Sequence, residues 1–139
     1  MPRIIAVDYG KKRSGLAVTD PLQIIATGLT TVRSEQLVYY LKRYFQEEDV
    51  EEILIGYPLN LDGSPTDMTA MVEKLYGQFQ KLFAPRKITL ADERFTSKMA
   101  SRAIRDSGLK KKARQDKALI DEVSAAILLQ DYLSRRPAL

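Results

Sequence analysis

The chain has 139 residues, 45% hydrophobic and 29% charged, with a formal net charge of +4, so one folded domain over residues 1–139 is expected rather than a disordered chain. Cysteine and histidine are both absent, which excludes disulfides, thiolate or imidazole metal sites, cysteine nucleophiles and serine-histidine triads. No apolar run approaches the roughly 18 residues of a membrane span, and Met1-Pro2-Arg3 leads straight into an apolar segment, so a cytoplasmic protein without a membrane partner is expected.

Residues 3–8 read as a buried strand, 14–19 as a second and 24–32 as a third, separated by Gly10-Lys11-Lys12-Arg13 and by an Asp20-Pro21 turn. After Ser34, a plausible N-cap, Leu37, Val38, Leu41, Tyr44 and Phe45 recur at helical spacing. Residues 52–57, centred on Ile53-Leu54-Ile55 and stopped by Gly56 and Pro58, read as a buried parallel strand. Met68, Met71, Val72, Leu75, Phe79, Leu82 and Phe83 mark one face of a second helix that Pro85 ends. Residues 87–91 form a fifth strand, Ser97 caps a short helix to about Arg105, Gly108 breaks it, and a last helix runs from about Asp116 to Ser134. The order β-β-β-α-β-α-β-α-α predicts an α/β fold. An antiparallel meander feeds two strands reached by helical crossovers, giving a mixed five-stranded sheet flanked by helices.

In such a sheet, sites gather at the carboxyl ends of the parallel strands, here Asp8, the loop after Tyr57, and Asp92-Glu93. Asp8 ends an apolar strand, where an acid is costly unless used; taken alone it also fits a turn-forming aspartate. Asp92, Glu93 and Arg94 stand where the fifth strand stops, and alone fit a surface ion pair. Asp121 lies in the first turns of an apolar helix, where an acid also favours the positive helix terminus. Ser124, Ala125 and Ala126 are small enough to let that helix approach the sheet and bring Asp121 near Asp8. Together the acids describe a carboxylate cage. Oxygen-only ligands suit Mg2+ or Mn2+, and such ions promote in-line displacement at phosphorus without histidine. Arg94 is placed for bidentate contact with a phosphate oxygen, and Lys11, Lys12 and Arg13 for backbone phosphates. Eight basic residues crowd the segment 98–117: Lys98, Arg102, Arg105, Lys110, Lys111, Lys112, Arg114 and Lys117, against Asp106 and Asp116. As a charge run this is first a solvated face; it also supplies a grip on nucleic acid through shape and phosphate. The seven tyrosines are scattered and give no single-strand stacking signature.

Four motifs stand in order: Asp8-Tyr9-Gly10-Lys11-Lys12-Arg13-Ser14-Gly15-Leu16-Ala17-Val18, Gly56-Tyr57-Pro58-Leu59-Asn60-Leu61-Asp62-Gly63, Asp92-Glu93-Arg94-Phe95-Thr96-Ser97 and Lys117-Ala118-Leu119-Ile120-Asp121-Glu122-Val123-Ser124-Ala125-Ala126. Over nearly its whole length the chain resembles the YqgF/RuvX family. The resemblance implies a ribonuclease-H-like fold, relatives that include the Holliday-junction resolvase RuvC, and a nuclease maturing the 5′ end of the pre-16S rRNA. By motif it makes Asp8, Glu93 and Asp121 the expected catalytic, metal-binding acids, with Asp92 as competitor for the middle place. Much of the ribonuclease-H superfamily carries its second acid at the end of the fourth strand. Here that place is Ile55-Gly56-Tyr57-Pro58, without a carboxylate, so the acid has moved to the fifth strand.

Precursor rRNA is the favoured partner and branched DNA the alternative, with a monomer or a homodimer open. Two rival readings remain. A non-catalytic RNA-binding ribosome-assembly factor would keep the acids without cleavage. ATP hydrolysis, as in the actin, Hsp70 and sugar-kinase group, shares the acid-x-glycine turn but uses two such domains.

Overall fold

The computed structural model describes residues 2–94 and 117–136, with Lys117 placed by its backbone alone. Strands β1 (Arg3–Asp8), β2 (Arg13–Thr19) and β3 (Ala26–Arg33) form the meander, followed by α1 (Leu37–Glu47), β4 (Val50–Tyr57), α2 (Thr69–Leu82), β5 (Lys87–Asp92) and α3 (Lys117–Arg135). The five strands lie in the order β3-β2-β1-β4-β5. β2 pairs antiparallel with β1 and β3, whereas β4 is parallel to β1 and β5. This is the expected mixed sheet. The helix expected from Ser97 to Arg105 lies outside the described residues.

The period-two alternation of the strands divides the core between the sheet faces. On one face Ile5, Val7, Leu16, Ile53, Ile55 and Ile88 pack against Leu37 and Leu41 of α1 and Val72, Leu75 and Phe79 of α2. On the other, Ile4, Ala6, Ala17 and Leu54 receive Ala125, Leu128 and Leu129 of α3. Small side chains are prominent on this second face, so α3 lies close to the sheet. Its far half is fastened by Glu52, 6% exposed, whose Oε2 accepts hydrogen bonds from the Tyr132 and Thr89 hydroxyls, each at 2.6 Å.

Two local expectations are corrected. β3 starts at Ala26 rather than Ile24, because the Asp20 carboxylate accepts the backbone N–H groups of Leu22, Ile24 and Ile25 at 3.1, 2.8 and 2.7 Å. These bonds hold the segment in a turn and leave Ile24 and Ile25 exposed. Ser34 does not cap α1. It opens a short 3-10 turn, Ser34–Gln36, and its hydroxyl instead donates to the Gly10 carbonyl at 2.5 Å and lies 2.8 Å from Ser14 Oγ.

Candidate active site

Strand alternation decides which acids meet. Ile4, Ala6 and therefore Asp8 face α3, as do Leu54 and Gly56 of β4 and Ala91 of β5. One further step of two from Ala91 places Glu93 on the same face. Asp92 falls on the other face, where its carboxylate accepts from Arg94 Nε at 2.7 Å and from the Arg94 backbone N–H at 3.0 Å. Of the two competing acids, Glu93 is therefore the one beside Asp8, and the two carboxyls are hydrogen-bonded to each other.

Two glycines make the room. A Cβ built on Gly56 would overlap Glu93 Oε2 and lie 2.9 Å from Glu93 Cδ and 3.2 Å from Leu128 Cδ2. The Glu93 carboxylate thus fills the space that a side chain at the end of β4 would occupy. A carboxyl carried just beyond β5 thus lies over the end of β4. Gly15 pairs across the sheet with Asp8. A Cβ built on it would overlap the Asp121 backbone carbonyl and lie 2.9 Å from the Asp121 Cβ. Any larger residue there would push the first turns of α3 off the sheet. The small residues of α3 are legible in the sequence as an apolar helix's close-packing face. Their counterparts in the sheet emerge only by counting in twos, from Ala17 to Gly15 and from Leu54 to Gly56.

Electrostatics follow from this crowding. Burial pushes Asp8 up from 3.8 to about 6, against the hydrogen bond from Glu93 and reinforced by the nearby charge of Asp121. Burial first, then the charge of Asp8, their hydrogen bond and the charge of Asp92 push Glu93 from 4.5 to about 9. At neutral pH Glu93 keeps its proton and donates it to the Asp8 carboxylate, the expected behaviour of like charges sharing a desolvated place. Asp121 is engaged by Arg13, whose Nε donates to Asp121 Oδ2 at 2.7 Å. Arg13 lies in the same alternation as Ala17 and Gly15, so it turns toward the α3 face, where it pairs with this acid.

Among the described residues no three acids are grouped closely enough to form a ready cation shell. Asp8 and Glu93 nevertheless fit a hard cation, since two oxygen donors crowd one partly buried notch that a positive charge would relieve. Ser124, three residues beyond Asp121 on α3, has its Oγ buried without a hydrogen-bond partner among the described residues. The arrangement is a two-carboxylate notch, with a third acid beside it held by an arginine.

The expected phosphate contacts are placed unevenly. Lys12 is exposed. Lys11 Nζ is also exposed but lies 3.1 Å from Asp67 Oδ2. Arg94, already paired with Asp92, reaches the Leu61 carbonyl at 3.4 Å and so ties the β4-α2 loop to the end of β5. Lys98, Arg102, Lys110, Lys111, Lys112 and Arg114 lie outside the described residues, as does the Lys117 side chain. No helix of the described residues is long and apolar enough to cross a membrane.

Comparison with known proteins adds the relationships. A relative from Flavobacterium psychrophilum, named "Putative pre-16S rRNA nuclease", is 54% identical, covering 98% of this chain and 99% of its own. One of the same name from Flavobacterium johnsoniae is 52% identical over the same shares. Among solved structures, the Fowlpox virus resolvase in complex with its substrate Holliday junction DNA superposes with a TM-score of 0.58 at 12% identity, covering 95% of this chain and 97% of that one. At that identity the likeness speaks to the fold, which is ribonuclease-H-like. Residues 2–135 match the RuvX family model, described as Holliday junction resolvase. This chain belongs to the RuvX family.

Proposed function

We propose that the protein is a metal-dependent nuclease that processes the 5′ end of pre-16S rRNA, with Asp8, Glu93 and Asp121 as its catalytic acids. One observation carries the reading. Asp8 and Glu93, brought from the ends of two parallel strands, stand side by side in a partly buried notch, with the Glu93 carboxyl seated over Gly56. Structural needs alone do not call for two desolvated carboxyls in contact, and perturbed acids of this kind cluster at functional sites. The names of the relatives supply the substrate class.

Asp8 and Glu93 would hold Mg2+ or Mn2+, and Asp121 would join them by exchanging its ion pair with Arg13. Such a cation supplies Lewis-acid stabilisation to the phosphodiester under attack. Loading requires Glu93 to release the proton it donates to Asp8. Arg13, once parted from Asp121, stands at the notch with a guanidinium suited to a non-bridging phosphate oxygen. Lys12 on the same turn positions the flanking backbone. The basic residues at 98–117 grip the polymer, and the domain works as one unit in the cytoplasm.

The family description favours a second reading, cleavage of four-way DNA. Side-by-side cleavage of a precursor 16S rRNA end and a synthetic four-way junction, with magnesium or manganese, separates the two. Asp8→Asn serves as control and is expected to abolish cutting while leaving the fold and most binding intact. If Asp8→Asn cuts as well as the parent, the acids are not catalytic. If the parent cuts neither substrate yet binds RNA, the protein is an assembly factor.

A further inference from the structure

Three of the seven tyrosines, Tyr39, Tyr40 and Tyr44, stand together on one helix, α1. On α1, Tyr40 and Tyr44 stack with ring centroids 6.2 Å apart and planes 18° from parallel. The neighbouring Tyr39 is 64% exposed, and the Arg43 guanidinium lies 5.8 Å from its ring centroid. With Gln36 and Glu47 these residues line a groove of about 380 Å³, within the size range of small-ligand sites.

The chemistry of the groove selects among ligands. Aromatic rings and a guanidinium offer faces on which a planar heterocycle stacks. The Gln36 amide donates and accepts, while the Glu47 carboxylate accepts N–H donors from a base edge and repels phosphate. The base of a nucleotide therefore fits inside and its phosphate stays at the rim.

Position links the groove to the acids. The segment leading into α1 is fastened to the turn that follows Asp8, because the Ser34 backbone N–H donates to the Lys12 carbonyl at 2.9 Å and the Ser34 hydroxyl to that of Gly10 at 2.5 Å. The groove opens on the α1 face of the sheet and the acids on the α3 face, so a strand that occupies both has to round the end of the sheet at the Gly10–Arg13 turn, to which the Gln36 end of the groove is fastened. We infer that the α1 groove takes an unpaired base of single-stranded RNA flanking the cleavage point. This inference rests on the nucleic-acid reading above and adds a strand requirement to it.

The test uses the full chain in the Asp8→Asn background, so that no probe is consumed. The probes are a short unstructured oligoribonucleotide and an RNA duplex of the same sequence, each carrying a terminal fluorophore. Because Tyr39 is exposed, its truncation leaves the core untouched. Tyr39→Ala is expected to weaken single-strand binding about tenfold, Tyr39→Phe to preserve it, and both to bind the duplex as the parent does. With seven tyrosines and no tryptophan, intrinsic emission comes from tyrosine, and the single strand should quench it in the parent more than in Tyr39→Ala. Equal single-strand binding by Tyr39→Ala and the parent overturns the groove, and so does an equal loss on duplex. The cleavage assay with Asp8 intact separates the two ideas. Cutting retained with a silent Tyr39 sinks only the groove, whereas Tyr39-dependent binding without any cutting sinks only the nuclease.

Discussion

Glu93 lies over Gly56 with no room to spare, which makes the glycine a positioning residue. Gly56→Ala would drive a methyl group into Glu93 Oε2. Because that atom is the end of a flexible side chain, the carboxylate moves rather than the strand. The expected outcome is a fold of nearly parental stability by thermal melting, with cleavage reduced at least about tenfold, a loss of about 1–2 kcal/mol in transition-state stabilisation. Gly15→Ala differs, since its methyl group meets the Asp121 backbone. Overpacking against backbone should cost about 3 kcal/mol and appear as a lowered Tm. The shared proton has a stability signature as well. Folding raises Asp8 to about 6 and Glu93 to about 9, so between the ordinary carboxylate range and pH 9 the folded chain binds more protons than the unfolded one. Without divalent cations, stability therefore falls as pH rises through that window. Glu93→Gln removes the penalty, and its Tm at pH 8 should exceed the parent's by about 5 °C, with a flatter pH profile. A parental profile in Glu93→Gln would assign the proton elsewhere.

At the scale of the elements, α3 does the organising. Its first turns carry Asp121 over Gly15, its middle buries Ala125, Leu128 and Leu129, and its far half is tied down through Tyr132 and Glu52. Tyr132→Phe leaves the buried Glu52 carboxylate with Thr89 as its remaining hydroxyl donor. A hydrogen bond to a charged group is worth about 2 kcal/mol, so a stability loss of that size is expected in denaturant titrations. Cleavage below the melting range should be unchanged, because Glu52 lies near the start of β4 while the acids stand at the far ends of the strands. Loss of activity at low temperature would instead show that α3 transmits the change to Asp121.

For the whole molecule, the net charge of +4 matters less than where the charge sits. Replacing Lys110, Lys111 and Lys112 by glutamine should weaken RNA binding and lower the slope of log affinity against log salt by about 0.7 for each phosphate that the chain no longer neutralises. Tyr39→Ala should leave that slope alone, since stacking releases no counterions. Binding measured over a salt series distinguishes the two contributions in one experiment.

The sequence by itself determined the sheet and the acids' strand ends. Apolar runs such as Ile4–Val7 and Ile53–Ile55 can be buried in only a few ways, and crossover connections leave little choice of strand direction. The parallel pairing of β4 with β1 and β5 follows from such patterns, whereas the register Asp8↔Gly15 does not. Contacts between residues distant in sequence depend on which faces meet, and only the tertiary structure decided those. It set Glu93 rather than Asp92 beside Asp8 by the alternation of β5 and gave Arg13 to Asp121 across 108 positions. It also turned Ser34 from a helix cap into a clasp on Gly10, because a hydroxyl bonds to the nearest unpaired carbonyl, and only packing brings that carbonyl within reach.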